Sequence, residues 1–70
     1  MKGEAFVVNC SEMSDYKGHQ SAFAVLVIGE DSFRCTTKVD LKPYQGKRVA
    51  VELRLRNSDK GIRLQVCKLA

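Results

Sequence analysis

The sequence predicts an all-β fold, a small barrel of five antiparallel strands joined by short connections. Three observations carry that expectation. First, two runs near the end alternate strictly. Val49, Val51, Leu53 and Leu55 interleave with Arg48, Ala50, Glu52, Arg54 and Arg56, and Ile62, Leu64 and Val66 interleave with Arg63, Gln65 and Cys67. Successive side chains of a strand point to opposite faces, so each run has one apolar side. Second, Asn57-Ser58-Asp59-Lys60-Gly61 separates them with turn chemistry, and the pair reads as a β-hairpin. Third, 70 residues make one domain, too small for a sandwich, and the seven-residue connector Leu41 to Lys47 is too short for an amphipathic helix.

In chain order, the first strand runs from Glu4 to Met13, with Phe6, Val8 and Cys10 on one face and Ala5, Val7 and Asn9 on the other. Both faces are largely apolar, which suits a strand covered on both sides, at a barrel closure or a subunit contact. Ser14 to Gln20 is polar, carries Gly18 and reads as a loop. Its Tyr16, followed by Lys17 and His19, is a candidate ring for stacking on a nucleobase, or else a plug on the barrel rim. Ser21 to Ile28 is a central strand, with Phe23, Val25 and Val27 on one face and Ala22, Ala24, Leu26 and Ile28 on the other. The second of these faces is either core at a bend or a dimer surface. Gly29-Glu30-Asp31 turns the chain. In the third strand, Ser32 to Asp40, Phe33, Cys35, Thr37 and Val39 oppose the flat basic row Arg34, Thr36 and Lys38. Leu41 to Lys47 connects to the hairpin, and Pro43 bars an ordinary strand there. Tyr44 either stacks on a base or packs under the barrel. Short turns and five strands point to the oligonucleotide-binding (OB) fold, with an SH3-like barrel as the alternative.

Composition limits the chemistry. A net charge of +4 is compatible with a polyanionic partner. There is no apolar run long enough for a membrane span, and Glu4 falls where a signal peptide would be apolar, so a cytoplasmic protein is expected. Cys10, Cys35 and Cys67 are widely spaced and include no C-x-x-C pair, so they read as reduced cysteines in or near the core, with no metal. His19 is the only imidazole, and no phosphate loop or catalytic constellation accompanies it. The expectation is a binding module, not an enzyme, without cofactor or small-molecule substrate.

The order of elements resembles the single-stranded DNA-binding proteins of filamentous phages, the gene-five type. Tyr16-Lys17-Gly18-His19-Gln20-Ser21-Ala22-Phe23 is similar to that family's early loop with its basic, glycine and aromatic pattern. Lys42-Pro43-Tyr44-Gln45-Gly46-Lys47 and the hairpin through Arg54, Arg56, Lys60 and Arg63 are similar to its later connector and hairpin. The resemblance implies a homodimer of OB-like subunits that coats or protects single-stranded DNA in phage DNA replication.

The residues themselves point to sequence-tolerant binding of single-stranded nucleic acid, with DNA ahead of RNA. Lys17, Arg34, Lys38, Arg54, Arg56, Lys60 and Arg63 are expected to meet phosphates, Tyr16 and Tyr44 to stack, and His19, Thr36 and Gln65 to add polar contacts. The alternative is a small protein-binding module, an inhibitor or adaptor of phage or mobile-element type, with Val7, Leu26 and Ile28 as its contact patch.

Overall fold

The computed structural model describes the backbone of residues 1–70 and every side chain except those of Tyr16 and Ser58. Its strands are β1 (Lys2–Cys10), β2 (Ser14–Tyr16), β3 (His19–Ile28), β4 (Asp31–Thr37), β5 (Arg48–Ser58) and β6 (Gly61–Leu69). Tight turns set the registers. Lys17 and Gly18 both have positive φ (52° and 80°), the pattern of a type I′ turn between β2 and β3. At the next turn Gly29 alone is positive (φ 63°), and Ile28 faces Asp31 across a two-residue loop. The β5–β6 hairpin closes Ser58 on Gly61, whose φ of 108° only glycine adopts at little cost.

β1 pairs with both β3 and β5, which closes a five-stranded barrel in the order β1-β3-β4-β6-β5. All neighbours are antiparallel except β4 and β6, which run parallel through Thr36–Gln65 and Thr37–Val66. This is a small OB-like barrel. Two details differ from the sequence reading. Ser14–Gln20 is no open loop, because β2 folds back on an extended β3 as a sixth strand. The β4–β6 pair is parallel, because β5 comes between them in sequence and β6 returns along its far side.

Ala5, Val7, Cys10, Ala22, Ala24, Leu26, Cys35, Val51, Leu53 and Val66 fill the barrel, and Leu41 plugs one end. The inward face of β3 is therefore Ala22, Ala24 and Leu26, the face for which core and dimer surface were both open. Leu26 and Val7 are fully buried, so the expected contact patch of Val7, Leu26 and Ile28 is overturned: only Ile28 retains partial exposure. In β1 a bulge explains the mixed alternation. Val7 faces Leu26 and Asn9 faces Val25, so Val8 is the extra residue and stays exposed. Odd positions point inward before it and Cys10 points inward after it.

Connector residues complete β1. Gly46 N–H donates to the Val7 carbonyl at 2.8 Å, Val7 N–H to that of Lys47 at 2.9 Å, and Cys10 N–H to Gln45 Oε1 at 2.9 Å. Lys42–Tyr44 forms a single 3-10 turn. Tyr44 is half-buried against the core, so it belongs under the barrel rather than on an open face. Lys42 Nζ donates to Glu12, and this hydrogen bond holds the lysine pKa above its ordinary value.

The thiols are all free. Cys10 and Cys35 flank Ala24 on adjacent strands, two strand spacings or roughly 9.6 Å apart, beyond disulfide reach. Burial, reinforced by Cys10, pushes the Cys35 thiol from 9.0 up to about 11. The folded chain therefore holds this proton more tightly than the unfolded chain. Its contribution to stability is complete below pH 9 and lost as pH rises through about 11. Chemical denaturation across that window is expected to show falling stability in the wild type and a flatter profile in Cys35→Ala.

Candidate nucleic-acid interface

The barrel's outer face is built by register. Phe23 of β3 faces Thr36 of β4, Thr36 faces Gln65 of β6, and Gln65 faces Arg54 of β5. These four side chains form one rung across four strands, roughly 14 Å wide. On the next rung Val25 faces Arg34, and Arg63 faces Arg56. Because side chains repeat every two residues, Arg34, Thr36 and Lys38 share this face, as do Arg54 with Arg56 and Arg63 with Gln65.

The β2–β3 turn hangs over one side of the face. Lys17, Gly18, His19, Gln20 and Ser21 form a wall opposite Arg54 and Arg56, and the two walls enclose a groove of ≈780 Å³ whose floor includes Thr36, Lys38 and Gln65. No carboxylate lines it. Four of the chain's twelve Lys and Arg lie here, and the eight elsewhere equal the eight Asp and Glu in number. The chain's net charge of +4 is thus concentrated in one groove.

A second depression, ≈560 Å³, adjoins it, lined by Asn9, Ser11, Phe23, Val25, Arg34 and Arg63 with the Cys10 and Cys35 thiols deeper in. Phe23 is 65% exposed, whereas its neighbours Ala22 and Ala24 on the same strand are buried. Its backbone is fixed on both sides: Thr36 pairs it in the ladder, while Ser11 N–H donates to its carbonyl at 2.8 Å and its own N–H donates to Ser11 Oγ at 3.0 Å. An exposed ring on a rigid backbone is a platform for stacking. Arg56 and Arg63 stand directly opposite each other, a like-charge pair that costs the free fold and that a bound anion relieves.

Of the expected residues, the groove collects Lys17, His19, Thr36, Lys38, Arg54 and Arg56. Arg34 and Arg63 lie together beside Phe23. Lys60 sits exposed at the β5–β6 turn, outside both depressions, and Tyr44 packs against the core. Tyr16 lies at the end of β2, with its side chain outside the described ones. Sequence reasoning missed Phe23 as a contact, since alternation only placed it with Val25 and Val27 on one apolar face of the strand. The signal was present: a two-residue turn at Gly29-Glu30 aligns Phe23 with Thr36 on the basic side.

Among the described residues no cluster of three or more His, Cys, Asp or Glu is placed to hold a metal. Among these residues no helix is long and apolar enough to cross a membrane. Comparison with protein-family models, with curated proteins and with solved structures finds no match.

Lys17 carries a backbone cost. It is a non-glycine residue with positive φ, a conformation that asparagine tolerates better. Lys17→Asn is expected to raise stability by about 0.5–1 kcal/mol by thermal denaturation while removing one cation from the groove.

Proposed function

We propose that this protein binds single-stranded nucleic acid, DNA foremost, across the outer face of β3, β4, β6 and β5 with little sequence preference. The observation that carries this reading is the carboxylate-free groove holding Lys17, Lys38, Arg54 and Arg56, with the exposed Phe23 paired across the ladder to Thr36 of its floor. The cations follow the phosphates, and each neutralised phosphate releases condensed counterions. Phe23 takes over the stacking role first considered for Tyr44, and Arg34 with Arg63 holds the phosphate beside it. In OB barrels the same face, flanked by the corresponding loops, is the usual oligonucleotide surface.

The reading makes a choice between ligand forms. Stacking on Phe23 needs an unpaired base, which a duplex does not present. Fluorescence anisotropy with labelled oligo-dT, oligo-rU and duplex DNA is expected to rank the single strands above the duplex. Phe23→Ala should weaken oligo-dT binding by about tenfold, in line with about 1–3 kcal/mol for a stacked base. Equal affinity for duplex and single strand, with no effect of Phe23→Ala, would contradict it.

A further inference from the structure

Gln65 is 4% exposed, and its Oε1 accepts no hydrogen bond among the described residues. A buried acceptor left without a donor is destabilising, so the site is built at the expense of the free fold. Gln65 forms part of the groove floor, between Thr36 and Arg54 on one rung. Its Oε1 is sealed from solvent in the free chain, and a half-turn of the carboxamide exchanges it with the accessible amide nitrogen and presents it to a donor in the groove. The nature of the missing partner follows from ligand chemistry. Phosphates and deoxyribose within a DNA strand offer acceptors only, so they cannot satisfy Oε1. A base N–H can, and so can a ribose 2′-OH.

Resting on the single-strand reading above, we propose that Gln65 is the base-contacting position of the groove. Its carboxamide accepts an N–H from the Watson–Crick edge of a nucleotide lying next to the one stacked on Phe23. The surrounding cations hold the backbone of any strand, whereas Gln65 engages only a strand that carries a base with a free edge. A carboxamide can match the donor and acceptor sets of several bases, which fits broad sequence tolerance with a requirement for unpaired edges.

The test removes the donor and keeps the stacking ring. Anisotropy with the full-length protein compares oligo-dT with oligo-N3-methylthymidine, in the wild type and in Gln65→Leu and Gln65→Met. Thermal melts of both variants confirm folding, and loss of the orphan acceptor should leave them at or above the wild-type midpoint. Methylation is expected to weaken wild-type binding by about tenfold, with less than a twofold effect in the folded variant. An equal loss in wild type and variant would assign the effect to methyl bulk and overturn the proposal, as would a wild type indifferent to methylation. A ribothymidine arm separates the other donor. If Gln65→Leu erases a preference for ribo- over deoxythymidine and leaves the methylation effect untouched, the partner is the 2′-OH and the base contact is refuted. Absence of binding to every oligonucleotide would instead remove the single-strand reading on which the proposal rests.

Discussion

Replacing Leu26 with alanine is expected to destabilise the protein by about 3 kcal/mol, and replacing it with aspartate to leave no folded population. Leu26 is fully buried on β3, facing Val7 of β1 on one side and Phe33 of β4 on the other. It therefore ties together three strands at the point where the barrel closes. A domain of this length has a total stability of roughly 4–10 kcal/mol, so a single cavity removes a large share. Urea denaturation of Leu26→Ala should show a lowered midpoint with an unchanged slope. A shift below 1 kcal/mol would mean that the barrel repacks and that Leu26 does not hold the closure. Val25→Ala on the same strand, whose side chain lies on the outer face, should cost much less.

The second large effect concerns binding and leaves the core alone. Arg54→Glu combined with Arg56→Glu is expected to weaken oligo-dT binding by about 10²-fold at physiological salt. Two phosphate contacts are lost and two repulsions are introduced on one wall of the groove. Both side chains are exposed, so circular dichroism and the melting midpoint should stay close to wild type. Arg56→Glu even places a carboxylate opposite Arg63, replacing a like-charge pair with an opposite one. Reversal of Lys60 at the turn beyond the groove should cost far less affinity. If the Lys60 variant lost as much as the double variant, the binding surface would be the hairpin end instead.

Much of the barrel could be read from alternation and turns. The runs Val49–Leu55 and Ile62–Val66 do place Val51, Leu53 and Val66 inside and Arg54, Arg56 and Arg63 outside. The basic row of Arg34, Thr36 and Lys38 likewise faces out from Cys35 and Thr37, and buried Thr37 is satisfied because its hydroxyl donates to the Val39 carbonyl at 2.7 Å. Alternation failed where both faces are apolar. In Ser21–Ile28 it gave no reason to send Ala22, Ala24 and Leu26 inward and Phe23 outward. Small residues pack where strands crowd at the closure, and the larger ring is left for the surface. In Glu4–Met13 the bulge at Val8 exchanged the faces midway, and a bulge has no signature in a run of apolar residues. Leu55 and Ile62 are apolar yet exposed, because they lie on the hairpin beyond the last β4–β6 rung, where no strand covers them. The β2–β3 hairpin was hidden by its polar residues and by a turn that begins with lysine in place of asparagine.

The candidate site was legible as an inventory and not as a place. Its cations are visible in the sequence, but their convergence depends on a parallel β4–β6 contact between segments some thirty residues apart. That contact brings Thr36 beside Gln65, and with it Lys38 into the company of Arg54. No local pattern reports such a pairing, since the loop closure that creates it involves the whole β5 strand.

The most direct test of the central claim is the salt dependence of oligo-dT affinity, measured by fluorescence anisotropy from low to physiological ionic strength. With Lys17, Lys38, Arg54 and Arg56 in the groove and Arg34 and Arg63 beside Phe23, the proposed site would neutralise about four to six phosphates. The logarithm of the association constant should then fall against the logarithm of salt concentration with a slope of about −3 to −4. A slope shallower than about −1, or no binding at the lowest salt, would contradict the assignment of this face to single-stranded nucleic acid.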